Sequence, residues 1–351
     1  MLLALCFLNL ALLVFGQRPI ESNTRKTGVL DEIYAEIPHG DKDGVYYFIL
    51  LMFVLSTVVS SLLTGGFLIL AILLWGHFKP MKFFWLLTQL TLSVFLVSIL
   101  NLTINVPATL FSLITRDFVQ SDTFLIVSYL LDMCHYTILF TNLVIAVQRF
   151  FVFFLRRLTD KVFDVPAIYG WLTSVYILSG LIVFLMMNNN CRYQYKETVR
   201  HYVLYCEPVS SIVDMPTPAG IQTLEVLLQL LIPVLIFCIY IALTVKILIM
   251  KRALLNKNEV AILKQAFAIF LLFQISSLVF LFCQTFTFDT ATAFLIKRVI
   301  NTTEIFAGAA TPCFFFFTSK DIRKLISTRV STVSSQGSSQ VQMRMRTLRS
   351  I

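Results

Sequence analysis

Three carboxylates stand inside long apolar runs of this sequence: Asp132, Glu225 and Glu304. A charged side chain near the middle of a bilayer costs about 3 kcal/mol on insertion scales, so such residues pair, face a polar cavity, or mark a functional path. Each acid has company at helical spacing. Tyr129 precedes Asp132 by one turn, His135 follows it by one turn, and Tyr136 lies beside His135. Asn301 and Lys297 precede Glu304 on one helical stripe, and Glu225 lies two turns before Pro233. Two chemistries fit this pattern. Asp132, His135, Tyr136, Glu225, Lys297, Asn301 and Glu304 could line an aromatic-walled pocket for a small polar or cationic ligand. Alternatively, Lys297 or Arg298 pairs internally with Asp132 or Glu304 and holds helices together. Catalysis is not expected, because the chain lacks H-E-x-x-H and G-x-S-x-G, and Asp132 with His135 offers only two metal ligands. No cofactor or metal is expected.

A second group is basic. Arg149 ends a long apolar run within Gln148-Arg149-Phe150, and Arg156 and Arg157 follow closely. With Lys246, Lys251, Arg252 and Lys264 they form a basic rim that sets topology and meets anionic lipid. A third group is the cysteine pair Cys191 and Cys206, alone in the connection Asn188–Gly220. On an oxidising face, a bridge between them would close a loop of about sixteen residues, worth ~3 kcal/mol in the chain-entropy model. A stapled hairpin lid is the expectation, and two free thiols the alternative.

The elements that position these groups follow from composition. The 351 residues are 58% hydrophobic and 13% charged, with 33 phenylalanines. Soluble domains are about half apolar and a quarter charged, so the class is a polytopic helical membrane protein. Seven apolar stretches each exceed the ~20 residues a bilayer requires: Tyr47–Trp75, Phe83–Ser112, Thr123–Phe154, Val165–Met187, Ile221–Ile249, Ala261–Phe286 and Ala293–Phe317. The sequons at Asn101 and Asn301 fall within stretches and should be unreachable. Ahead of the stretches, residues 1–16 read as a signal peptide, with an uncleaved anchor as the alternative. Residues 17–45 read as a polar extracellular segment.

The alternate connections and the tail gather seventeen Lys and Arg against Asp160, Asp164, Glu259 and Asp321. The +9 net charge therefore reports orientation and gives no reason to expect nucleic acid. The N-terminus is expected outside and the C-terminus in the cytoplasm. After the last stretch, Ile322, Leu325 and Ile326 oppose Lys320, Arg323 and Lys324, the pattern of a basic surface helix over 319–329. A Ser/Thr-rich disordered tail follows over 330–351.

Thr311-Pro312-Cys313-Phe314-Phe315 before a basic surface helix resembles the N-P-x-x-Y end of rhodopsin-like G-protein-coupled receptors, with the Asn and Tyr replaced. Gln148-Arg149-Phe150 stands where that family has D/E-R-Y, and Trp171 and Pro233 fall at its other marked positions. There is no buried Asp in the second stretch, no C-W-x-P in the sixth, and no cysteine at the outer end of the third. The phenylalanine-rich spans resemble the nematode serpentine chemoreceptor families over 46–326.

The resemblance implies an all-α membrane protein, a seven-transmembrane helix bundle (46–318) at the plasma membrane with a short amphipathic surface helix after the last span. It implies a chemosensory receptor for a small extracellular ligand that activates a heterotrimeric G-protein, with arrestin and kinases acting at the tail. Coupling would fall to Gln148, Arg149, Phe150, Arg156, Arg157, Lys251, Arg252, Lys264, Pro312 and Phe315. A transporter or ion channel is the alternative, since intramembrane acids also mark ion paths. Against it stand an odd number of stretches and the absence of an inverted repeat or paired Gly/Pro-broken helices.

Overall fold

Hydrophobicity dictates helices here, because in lipid every backbone N–H and C=O must be satisfied within its own segment. The computed structural model describes residues 44–110, 121–189, 191–196, 201–206, 218–249, 267, 271 and 290–318. Six long helices are described: α1 (Gly44–Leu73), α2 (Lys82–Leu100), α3 (Asp122–Phe154), α4 (Val165–Asn188), α5 (Pro218–Ile249) and α6 (Thr290–Thr318). Their bounds follow the first five and the seventh predicted stretches. In the sixth stretch only Phe267 and Leu271 are described, both helical. The expected signal peptide, outer segment, surface helix and tail lie outside the described residues.

Local chemistry sets several ends. The Ser121 hydroxyl caps α3 by accepting from the Phe124 N–H at 3.3 Å. Asp164 caps α4 by accepting from the Val165 N–H at 2.8 Å, with proline in the first turn. The predicted second stretch, Phe83–Ser112, departs from one regular helix. α2 widens into a π-helical turn over Asn101–Asn105 before a short helix, Val106–Leu110. Pro107 has no N–H to donate, and its ring would crowd the carbonyl one turn back, so an added residue in the turn relieves the clash. The Asn101 amide donates to the Val97 carbonyl at 2.9 Å, and the Asn105 amide to the Asn101 side-chain oxygen at 2.7 Å.

Small hydroxyl residues share the buried face of α1 with Phe53 and Phe67, and large apolar residues also cover its outer face. The buried face of α1 carries Thr57, Ser60 and Thr64, each at most 1% exposed, while Leu62 and Ile72 are 71% and 73% exposed. Buried hydroxyls are satisfied locally: Thr57 donates to the Phe53 carbonyl at 2.7 Å and Thr64 to the Ser60 carbonyl. The hydroxyls of Ser60 and Ser98 on α2 share a hydrogen bond across helices at 2.7 Å. Small residues let helices approach closely, and lipid accepts apolar side chains on the outer face. Five described helices are long and apolar enough to cross a membrane, α1 to α5. Lys297, Arg298, Asn301 and Glu304 dilute the apolar character of α6. The protein is a polytopic all-α membrane protein.

α3 is the axis, packed against α2, α4 and α5, while α6 lies mainly on α1 and also on α2. The last contact is close because residue 308 is glycine: a Cβ there would collide with the Val94 side chain. Trp171 stacks on Phe163, 5.6 Å between ring centres, and its indole N–H donates to the Val162 carbonyl. That ties the start of α4 to the connection after α3. Another tie holds α2 to α4, the Gln89 amide donating to the Leu172 carbonyl at 3.3 Å.

Candidate functional site

One turn of α3 gathers the acids predicted from sequence. His135 and Glu304 face each other across α3 and α6, Nδ1 to Oε2 3.7 Å, with side chains 44% and 24% exposed. The contact joins the central helix to α6, and His135 is the more exposed of the two side chains. Glu304 stands at the midpoint of α6. Glu225 on α5 is 5% exposed and accepts a hydrogen bond from the Gln229 amide at 2.8 Å. Asp132 and the buried Tyr136 lie within electrostatic reach of Glu225. Asp132 and Tyr136 thus meet Glu225 of α5, and His135 meets Glu304 of α6.

The other two members of the predicted group lie on α6, before Glu304. Asn301 is half-buried one turn before Glu304. Lys297 is placed on α6 by its backbone alone. Arg298 turns toward α1, its guanidinium 4.9 Å above the Phe53 ring. Among the described side chains, the partner seen for Glu304 is His135. Of the two sequons, Asn101 is buried in the π-turn. Among the described residues no group of three or more His, Cys, Asp or Glu is placed to hold a metal ion.

Seventeen residues further down α3, about 26 Å along the axis, Arg149 is also buried. Its guanidinium lies 4.0 Å above the Phe83 ring of α2 and within electrostatic reach of Tyr240 on α5. Tyr240 in turn packs on Phe267, 5.4 Å between ring centres. Gln148 is buried and Phe150 stacks on Phe154, over which the Lys246 ammonium sits at 5.5 Å. Arg156 and Arg157 are exposed on the short helix Arg156–Val162, which Lys82 ties to α2 through Asp160 at 3.2 Å. Pro312 and Phe315 lie within the helical backbone of α6, which continues through the proline to Thr318. Lys251, Arg252 and Lys264 lie outside the described residues.

Between α4 and α5 the chain forms an antiparallel hairpin, β1 (Cys191–Lys196) and β2 (His201–Cys206). β1 lies against α4, and β2 against α5 and α6. Cys191 and Cys206 are direct partners in the register. Directly opposed residues of an antiparallel pair have Cα atoms about 4.5–5.5 Å apart, within the range a disulfide accepts.

Three participants were missed in the sequence. Gln229 had a signal, since it follows Glu225 by one turn, the spacing of an intrahelical hydrogen bond. Phe83 and Tyr240 had none, because which aromatic meets Arg149 depends on the register between helices.

Residues 35–339 match the family described as "Protein of unknown function (DUF621)". The chain belongs to this family. The match spans all six described helices and both clusters on α3, so the DUF621 region is the membrane bundle itself rather than an appended domain. No curated protein matches the chain.

Proposed function

We propose that this DUF621 protein is a seven-span receptor, amino terminus outside and carboxyl terminus in the cytoplasm. On this reading it binds a small extracellular ligand in the cleft around His135 and activates a heterotrimeric G-protein at its inner face. The observation that carries the reading is the build of α3. Carboxylates from α5 and α6 gather at its upper part, and a buried arginine marks its inner end, so one rigid element touches both proposed sites. The site offers carboxyl groups beside tyrosine, suited to a polar or cationic ligand. A Cys191–Cys206 bridge would staple the hairpin as a lid, and Arg156 and Arg157 would join the basic rim that meets the G-protein. Arrestin and kinases would act at the tail. The resemblance to nematode chemoreceptors supplies the chemosensory role.

The experiment is a dose–response series in surface-expressed protein, screened with small amines and peptides against calcium and cAMP readouts. Asp132→Asn, Glu225→Gln and Glu304→Gln, taken singly, should each raise the effective concentration of an active compound. Unchanged curves in all three would remove the pocket.

A transporter or channel is the second reading, carried by the same intramembrane carboxylates. It asks for less beyond what the helices establish, since a polytopic bundle with acids inside is its main requirement. Ion or solute flux in liposomes separates it from the receptor.

A further inference from the structure

The chain has three tryptophans, and all three fall at one end of the bundle. Trp75 follows α1, Trp85 lies in the first turn of α2, and Trp171 in the second turn of α4. Trp171 is engaged by Phe163 and the Val162 carbonyl. The other two join Tyr169 in a run of edge-to-face contacts. Trp75 meets Trp85 at 4.5 Å, and Trp85 meets Tyr169 at 5.2 Å, between ring centres. One row of rings thus links the end of α1 to the starts of α2 and α4. Rings with a polar tip favour the membrane–water boundary. The Trp85 indole N–H is spent on the Lys79 carbonyl at 3.0 Å. Among the described residues, the Trp75 N–H and the Tyr169 hydroxyl meet no hydrogen-bond partner, and Tyr169 is 50% exposed.

The surroundings are basic. The connections at this end hold Lys79, Lys82, Arg156, Arg157 and Lys161 against Asp160 and Asp164. Lys82 engages Asp160 and Asp164 caps α4, while Lys79 and Lys161 are exposed. Toward the middle of the bundle, Ile72 of α1 and Ile177 of α4 are exposed as well. Donors and cations above an apolar wall suit a phospholipid, with phosphate at one level and acyl chains at the other.

We propose that Trp75, Trp85 and Tyr169 form a ledge that seats the headgroup of an anionic phospholipid. The Trp75 N–H and the Tyr169 hydroxyl donate to its phosphate oxygens, Lys79 and Lys161 supply charge, and its chains lie along Ile72 and Ile177. The ledge stands apart from the receptor and transporter readings, since either protein would carry it. It differs from a diffuse basic rim in one testable respect: it depends on the ring donors as well as on charge.

The test uses the full-length Trp171→Phe protein, whose remaining tryptophans both lie on the ledge, in phosphatidylcholine nanodiscs. A small fraction of the lipid is brominated in its acyl chains, and bromine quenches nearby tryptophan emission. Brominated phosphatidylserine should quench at a roughly 3- to 10-fold lower fraction than brominated phosphatidylcholine. Tyr169→Phe keeps the ring, removes the hydroxyl, and should abolish most of that preference. Both leaflets of the disc carry the probe, so the result holds whichever end of the bundle faces the cytoplasm. Should Trp171→Phe fail to fold, native mass spectrometry of retained phosphatidylserine reads the same comparison in the unaltered chain and in Tyr169→Phe. Equal quenching by the two lipids overturns the ledge. So does a preference that survives Tyr169→Phe, since charge alone then gathers the lipid. Millimolar inorganic phosphate should leave the quenching unchanged, and displacement by it would assign the ledge to a free anion and overturn the lipid.

Discussion

Two stretches of one helix solve the problem of a buried charge in opposite ways. Around Asp132–Tyr136, α3 meets acids, and the visible compensation is by hydrogen bonds and a histidine: Gln229 to Glu225, His135 to Glu304. Around Arg149 it meets a cation, and the visible compensation is aromatic. The upper site is open enough for His135 to be 44% exposed, whereas the lower one is closed over. Hydrogen bonds and ion pairs in an open cleft can be exchanged for a ligand's own groups. A ring face packed over a guanidinium can be given up only by moving a helix. The first region is built to trade partners and the second to resist motion.

The sharpest perturbation acts between the two regions, at Gly308, one turn below Glu304. Gly308→Ala drives a methyl into Val94 and should destabilise the bundle by about 1–3 kcal/mol. Thermal unfolding of the purified protein measures this, and Val94→Ala in the same chain should restore most of the loss. If Gly308→Ala is neutral alone, α6 does not hold its place through this contact.

At the mouth, Glu225→Leu removes the hydrogen bond from the Gln229 amide and should cost about 1 kcal/mol. At the foot, the double-mutant cycle between Phe83→Leu and Arg149→Met should give a coupling of about 2 kcal/mol. A coupling near zero there would erase the contrast between the regions. The smallest effects mark the background. Ser60→Ala removes one interhelical hydroxyl contact and should cost about 0.6 kcal/mol. Lys82→Ala removes an exposed pair, Asp160 being 87% exposed, and should cost under ~1 kcal/mol and less in high salt.

Much of the scaffold was legible in the sequence because lipid leaves so few options. An apolar run long enough to span must be a helix, and α3, expected over Thr123–Phe154, spans Asp122–Phe154. The π-turn at Asn101–Asn105 was not anticipated: Pro107 signalled a disturbance, but whether a helix kinks or takes in a residue depends on what packs beside it. A hairpin between Cys191 and Cys206 was expected, and the strands set the two residues opposite each other. In the site, the acids and their same-helix neighbours were visible through i+3 and i+4 spacing. The contact of His135 with Glu304 was not legible, because sequence spacing sees only one helix, and the two come from different helices. Phe83 and Gly308 were hidden for the same reason: each matters through what a neighbouring helix presents to it.

The central claim is that α3 joins an extracellular ligand cleft to an inner face that acts on a G-protein. Its most direct test puts the full chain in liposomes with a panel of purified heterotrimers, and follows GDP release and ion or solute flux in the same vesicles. The account predicts GDP release without flux. Flux without GDP release, abolished by Glu225→Gln or Glu304→Gln, would contradict it and identify the acids as a transport path.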